Sequence, residues 1–315
     1  VNNSVAIPQE SSADKYETTI NVRNEPTAMQ NIKLLICDLD GTLLDDGKSM
    51  SARTIETFQR ARAKGLKLCL ASGRHESMMS VYAELLGGCD YLLSCNGAML
   101  RRMRDTILLR KQTLDDTQLQ RMLSVLIETE MGFTLYTEDK AFYDARRPEL
   151  AERYERFETL TEQMGRPVRL RARALTEQNF SSIQQAVKLV VFSKDGQRRQ
   201  AERIWRMVDE TPELMREATG YGLTGIFARG VDKRAALQAT LTDARIGTAN
   251  ICVFGDYDND LSMFSLAGRS VAVANARASV TCAATDLTAD NNDDGVARFV
   301  ERILQAQAEP GRSRC

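Results

Sequence analysis

The chain has 315 residues, 43% hydrophobic and 27% charged, with 42 Lys and Arg set against 43 Asp and Glu. Those proportions fit a globular protein with room for one large domain or two ordinary ones. A net charge of -1 leaves no electrostatic footprint for nucleic acid or an anionic membrane, and no apolar run approaches the roughly 18 residues that span a bilayer.

The first 28 residues are polar and lack both an apolar signal core and the Arg-rich character of a transit peptide, so 1–28 is expected to be a disordered extension before a folded part starting near Met29. From there the core elements come in order. Short apolar runs at Ile32 to Cys37, Leu66 to Ala71 and Tyr91 to Ser94 have strand length without clean alternation, as strands buried on both faces do. Between the first two, Ile55, Phe58 and Ala61 give a helical stripe that Gly65 ends. Met78, Val81, Tyr82, Leu85 and Leu86 give a second helix before Gly87-Gly88. Strand alternating with helix predicts a doubly wound parallel sheet.

From about Arg101 to Phe227 the character changes. The runs at Thr106 to Leu109, Phe133 to Tyr136, Val187 to Phe192 and Leu223 to Phe227 are more polar, with helices near Asp116 to Thr129 and Arg198 to Val208. The expectation is an α/β core of a Rossmann-like doubly wound sheet, 29–100 and 228–304, carrying an inserted α+β cap at 101–227. The core resumes with a helix from Asp232 to about Ala244 and strands at Ile251 to Phe254 and Ser270 to Ala274. Residues 305–315 read as a flexible tail.

Seven cysteines are an odd number with no C-x-x-C pair, and Cys37, Cys69 and Cys252 fall inside hydrophobic runs. Free thiols of that kind suit a reducing cytoplasm better than a disulfide framework. N-x-S sequons at Asn2 and Asn179 carry little weight without a secretory signal.

The strongest chemical signal is Asp38-Leu39-Asp40-Gly41-Thr42, which follows a buried strand. Carboxylates at i and i+2 can project to one side at a strand end, where open α/β sheets bind their ligands. One carboxylate can then attack while the other handles protons. A solvated turn closing the strand is the plain alternative. A second acidic loop, Gly255-Asp256-Tyr257-Asp258-Asn259-Asp260, follows another buried strand. Acidic groups at two strand ends of one sheet converge, and two unit charges 4 Å apart repel by roughly 4 kcal/mol at a surface-like dielectric. A cation relieves that repulsion, and donors that are all oxygen point to Mg²⁺ rather than zinc. Ser72-Gly73-Arg74 offers a hydroxyl and backbone N–H groups at a strand-to-helix junction, and Lys233 starts the re-entering helix, although a lone Ser or Lys at such a place is ordinarily capping or solvation.

The order Asp-x-Asp, Ser, Lys, Gly-Asp-x-x-Asn-Asp resembles the haloacid dehalogenase-like superfamily, and within it the capped Cof-type (subclass IIB) phosphatases. The resemblance runs from about Asn31 to Leu304 and takes in Ser94-Cys95-Asn96-Gly97-Ala98, Val271 to Ala276 and Asn292 to Ala297. It implies a Mg²⁺-dependent phosphomonoesterase acting on a small phosphorylated metabolite. Asp38 would be the nucleophile, forming an aspartyl-phosphate, and Asp40 the acid and base. Asp38, Asp256 and the backbone carbonyl of Asp40 would be metal ligands, supported by Asp260. Ser72, Gly73, Lys233 and Asn259 would hold the transferred group. Candidate substrate contacts are Arg74, Asn96 and the alternating Arg169, Arg171 and Arg173, which would share one face of a cap strand spanning Val168 to Ala174, either as a cationic patch facing an anionic substrate or, more plainly, as a solvated strand face. Tyr257 is bulkier than the small polar residue usual in that loop and is expected to narrow the site. A phosphomutase, or a non-catalytic regulatory or binding protein on the same scaffold, are the competing functions. A small-molecule substrate is expected, with no nucleic acid or membrane partner.

Asp290 to Glu301 fits the EF-hand calcium-loop pattern literally, but no amphipathic helix precedes it, and capping of the last helix by Asn292 to Asp294 is the expectation. His75, the only histidine, is expected on the surface at a helix start. With one histidine, no Walker A sequence and no G-x-G-x-x-G, triad, zinc and dinucleotide chemistry lack their residues.

Overall fold

The computed structural model describes residues 29–193, 196–218 and 222–308. The expectations for 1–28 and for 309–315 lie outside the described residues. The last helix, Gly295–Ala308, continues through residues 305–308, where the tail was expected.

The first strand, β1 (Leu34–Cys37), shows why the core strands have no polar face. Leu34 and Ile36 pack on one side of the sheet, in a cluster with Ala236 and Leu237. Leu35 and Cys37 pack on the other, with Phe58, Phe299 and Ile303. Both faces are covered by helices, so both must be apolar. β2 (Lys67–Ala71) and β3 (Tyr91–Ser94) pair parallel on one side of β1. After them the chain forms an antiparallel hairpin of β4 (Met99–Arg102) and β5 (Ile107–Lys111) on the edge of this same sheet. That corrects the expected boundary at Arg101: 101–111 is hydrogen-bonded to the core sheet, and its polarity is that of a half-exposed edge.

The second sheet follows, with β6 (Gly132–Tyr136), β7 (Ala141–Asp144), β8 (Arg173–Leu175), β9 (Lys188–Phe192), β10 (Leu214–Ala218) and β11 (Leu223–Ala228) in the order β10-β11-β9-β6-β7-β8. One face packs on helices Asp116–Glu128 and Arg198–Asp209 through Leu119, Leu123, Phe133, Leu189 and Ile204. The opposite face presents Tyr136, Val190 and Phe227 to the core. A helix not anticipated from sequence, Glu152–Gln163, lies on that inner side, with Tyr154 and Phe157 in the core cluster.

The chain returns through helix Lys233–Ala244 into β12 (Ile251–Gly255), β13 (Arg269–Ala272) and β14 (Asp286–Leu287). The core sheet runs β14-β13-β12-β1-β2-β3-β4-β5, parallel from β14 through β3. This is a Rossmann-like doubly wound sheet. β1 and β12 are neighbours, with Cys37 opposite Phe254, and their connections leave in opposite directions, which opens a crevice at their carboxyl ends. Among the described residues no helix is long and apolar enough to cross a membrane.

Candidate active site

Asp38 leaves β1 at that crevice, its N–H donating to the Phe254 carbonyl at 3.2 Å. The chain then turns tightly, with Leu39 O accepting from the N–H groups of Thr42, Leu43 and Leu44. Gly41 sits in the turn at φ 80°, where a Cβ would come 2.6 Å from Asp256 Oδ2. Only glycine allows both the backbone angle and the approach of the second loop. Asn275 holds the Gly41 carbonyl at 2.7 Å, and Thr42 Oγ1 donates to Asp256 Oδ1 at 2.6 Å.

Lys233 is the first residue of its helix, behind the N-cap Asp232. Its fully buried ammonium lies 2.6 Å from Asp38 Oδ1 and 2.7 Å from Asp260 Oδ1. The other oxygen of Asp260 accepts from the N–H groups of Asp256 and Tyr257 at 3.1 and 3.2 Å. Asp260 is therefore committed to shaping the loop, while Asp38 and Asp256 keep oxygens for the crevice.

Carboxylate oxygens of Asp38, Asp256 and Asp260 come within 4.8 Å of one another. Burial pushes Asp38 well above the usual carboxylate range, Lys233 pulls the other way, and Asp260 and Asp256 add to the rise. Burial likewise raises Asp256 to about 6, against the Thr42 hydrogen bond. Burial favours the neutral amine of Lys233, but Asp260 and Asp38 outweigh it and hold the ammonium charged. Three carboxylates against one cation is an arrangement short of positive charge. A hard divalent ion such as Mg²⁺ fits this oxygen-only donor set.

Asp40 is held differently. Arg74 forms a two-pronged ion pair with it, Nε to Oδ2 and NH2 to Oδ1 both at 2.7 Å, and Lys48 adds a contact at 3.2 Å. Burial opposes its ionisation, but these cations win and hold its carboxyl well below the usual range. The Arg74 guanidinium is fixed in turn by the Tyr82 hydroxyl at 3.2 Å and by the rings of Tyr82 and Phe157.

The Ser72-Gly73 loop follows β2, and Ser72 Oγ accepts from the Arg74 N–H at 3.2 Å. A Cβ on Gly73 would lie 2.4 Å from Asn96 Oδ1, so this loop too is closed to larger residues. Asn96 adopts a left-handed backbone (φ 57°) and donates to Glu217 of the second sheet. Its Oδ1 is buried without a hydrogen-bond partner.

These groups line one cleft of about 1330 Å³ between the two sheets: Asp38, Asp40, Ser72, Gly73, Asp256 and Asn259 on the floor, and Tyr136, Arg153, Phe157, Lys188 and Val190 opposite. The structure thus gathers every expected floor residue, with Lys233 and Asp260 buried behind it. It does not gather the arginine stripe. Val168 to Ala174 is no strand: only Arg173–Leu175 pairs, and Arg171 has a left-handed backbone (φ 49°). Arg169 is spent on Glu158 and Glu162, and none of the three arginines lines the cleft. The expectation failed because alternation means one face only in an extended chain.

Two cations that do line the cleft, Arg153 and Lys188, carried no signal in the sequence. Arg153 comes from a helix whose density of charge hid its buried stripe of Tyr154, Phe157 and Thr161. Lys188 is the first residue of the otherwise apolar strand β9. His75 is at a helix start but is buried, not on the surface. Its Nε2 lies 2.9 Å from the Thr137 carbonyl of the second sheet and its ring packs against Tyr136. Tyr257 lines the cleft with the Arg277 guanidinium 3.7 Å above its ring. In the calcium-like loop, Asp294 accepts from Ser51 and Thr54, and Glu301 is engaged by Arg53 and Thr57. Asp290 caps Asn292. The acidic groups serve capping and ion pairs there.

A doubly wound core with this acidic crevice and a second sheet closing over it defines a capped hydrolase. The sequence profile of the haloacid dehalogenase-like hydrolases matches residues 35–300, and the chain belongs to that family, among its Cof-type phosphatases. It is 27% identical over 281 residues to the 5-amino-6-(5-phospho-D-ribitylamino)uracil phosphatase YitU of Bacillus subtilis, an alignment covering 86% of this chain and 97% of that one. It is 25% identical to the pyridoxal phosphate phosphatase YbhA of Escherichia coli, over 85% and 97% of the two chains. Among solved structures, a haloacid dehalogenase-like hydrolase from Bacteroides thetaiotaomicron shares the fold with a TM-score of 0.74 at 24% identity, over 86% of this chain and 99% of that one.

Proposed function

We propose that the protein is a Mg²⁺-dependent phosphomonoesterase of the cytoplasm that hydrolyses a small phosphorylated metabolite, a sugar phosphate or a cofactor phosphate, through a phosphorylated Asp38. The observation that carries this is the pairing of Asp38 with buried Lys233 at the floor of the cleft, beside a second carboxylate held apart by Arg74. The phosphate esters named for the two relatives above, a ribitylaminouracil and a pyridoxal, indicate the size of leaving group meant.

An Asp38 oxygen forms a bond to phosphorus as the ester P–O bond breaks, and Asp40 gives its proton to the leaving oxygen. In the second half, Asp40 takes a proton from water as that water attacks phosphorus and the bond to Asp38 breaks, releasing phosphate. Lys233 orients Asp38 and lowers the repulsion between its carboxylate and the phosphate dianion. Ser72, Gly73 and Asn259 hold the peripheral phosphoryl oxygens, where positioning and electrostatics do most of the catalysis. Arg74 holds Asp40 ionised in the resting state, which suits the water-activating half. For the first half Arg74 must let go, with phosphate oxygens entering the cleft competing for its guanidinium, so that Asp40 takes up a proton from water before giving it to the leaving oxygen. Asp38, Asp256 and the Asp40 carbonyl would hold Mg²⁺, which would supply the remaining positive charge.

The test is release of inorganic phosphate from a panel of phosphate esters with and without Mg²⁺. Asp38→Asn should abolish both turnover and any acid-stable phosphoryl label on the protein. Appreciable turnover by the purified variant sinks the covalent mechanism.

A further inference from the structure

Two cations on the wall opposite the catalytic floor form no ion pair among the described residues. Lys188 on β9 is 4% exposed. Its ammonium donates to the Gly73 carbonyl at 2.7 Å and stands 5.2 Å from the centre of the Phe227 ring. Arg153, half-buried on helix Glu152–Gln163, reaches the same cleft. Among the described residues neither side chain forms an ion pair, although Glu152 and Glu155 border the cleft on the same helix. Burial pushes the Lys188 amine down to about 8, and the positive charges of Arg153 and Lys233 push the same way, with Cys95 and Glu217 opposing.

A buried ammonium resting on one neutral carbonyl is poorly compensated. One hydrogen bond to a neutral carbonyl returns less than removing the ion from water costs. Two uncompensated cations facing one cavity, at the edge of a phosphate-binding loop, form a site made for negative charge. We infer that Lys188 and Arg153 form a subsite for a second anionic group of the substrate, a carboxylate or a second phosphate, carried by the leaving group. This rests on the phosphatase function proposed above. It also assigns to the inner face of the second sheet the cationic role that the arginine stripe does not fill.

The experiment compares matched phosphate esters that differ in the second charge: 3-phosphoglycerate against glycerol 3-phosphate for a carboxylate, and fructose 1,6-bisphosphate against fructose 6-phosphate for a phosphate. Wild-type protein is expected to favour the charged member of one pair by about tenfold or more in kcat/KM, the pair showing which anion the subsite takes. Lys188→Gln and Arg153→Gln should each cut that ratio at least about fivefold, chiefly by raising KM for the charged ester. Because the readout is a ratio, a general loss common to both esters cancels. Arg153 is half-exposed, so its variant keeps the test standing should Lys188→Gln not fold. A wild-type ratio near one in both pairs, or a ratio that survives both substitutions, overturns the subsite. Wild-type protein that releases no phosphate from any ester, p-nitrophenyl phosphate included, overturns the phosphatase function instead.

Discussion

Lys233→Met is the most informative single change, because it separates what the lysine does for the fold from what it does for the reaction. The ammonium is fully buried between Asp38 and Asp260, at 2.6 and 2.7 Å. Methionine preserves most of the side-chain volume and removes the charge, leaving two buried carboxylates facing each other without their cation. Breaking a buried ion pair by deleting one partner costs about 3–5 kcal/mol. At about 2–4 °C per kcal/mol for a chain of this size, the thermal midpoint without metal should fall by roughly 6–20 °C. Mg²⁺ should then stabilise the variant more than wild type, since the ion enters a site holding one more unbalanced negative charge. Turnover should fall about 10²–10³-fold even with Mg²⁺ saturating, because the lost charge faces the transferring group. The assay is thermal unfolding followed by circular dichroism, with EDTA and with excess Mg²⁺, alongside steady-state phosphate release. A midpoint shift under about 2 °C without metal, or a smaller Mg²⁺ response than wild type, would refute the view that Lys233 carries the charge balance of the crevice.

Asp256 gives a pH signature. Its folded pKa is raised to about 6 by burial, so the metal-free protein is favoured with this group protonated and loses that stabilisation as pH rises through 6. Mg²⁺ must displace the proton, so its affinity should weaken by at least about tenfold per pH unit below 6, with the raised Asp38 carboxyl adding to the slope; a flat calorimetric affinity from pH 5 to 7 would count against Asp256 as a ligand. Replacing Arg169, Arg171 and Arg173 together with Gln should leave KM for the best substrate within about twofold, since exposed ion pairs of this kind contribute little. A several-fold rise in KM would put the stripe back at the substrate. Glu301→Gln should leave Ca²⁺ binding unchanged, because its carboxylate is already taken up by Arg53; loss of a tight calcium site would show otherwise.

The floor of the site was legible because its chemistry is local in sequence. Asp38, Asp40 and Asp256 each follow a buried apolar strand directly, and a strand's end fixes where the next side chains go. Ser72 and Lys233, ordinary capping or solvated residues taken singly, were legible only through the order in which the motifs follow one another. The alternating run Arg169 to Arg173 misled because its period implies a face only if the backbone is extended, and a left-handed residue at Arg171 breaks it. The limit of the second sheet was misplaced because β4 and β5 form a half-exposed hairpin ending at the sheet's edge, and whether such a hairpin belongs to one sheet or another is settled by hydrogen bonds to other segments.

By itself, then, the sequence determined the doubly wound core, the two acidic strand ends and the oxygen-only donor set, since strand burial and carboxylate spacing are properties of short segments. Tertiary structure alone decided what faces those carboxylates. Lys188 lies within an apolar strand and Arg153 within a charged helix, each unremarkable among its sequence neighbours. They acquire meaning only when the second sheet folds over the first and leaves their charges in one cleft, buried or half-buried and, among the described residues, in no ion pair. Burial and countercharge are relations between segments far apart in the chain, so they are fixed by packing and not by the local pattern.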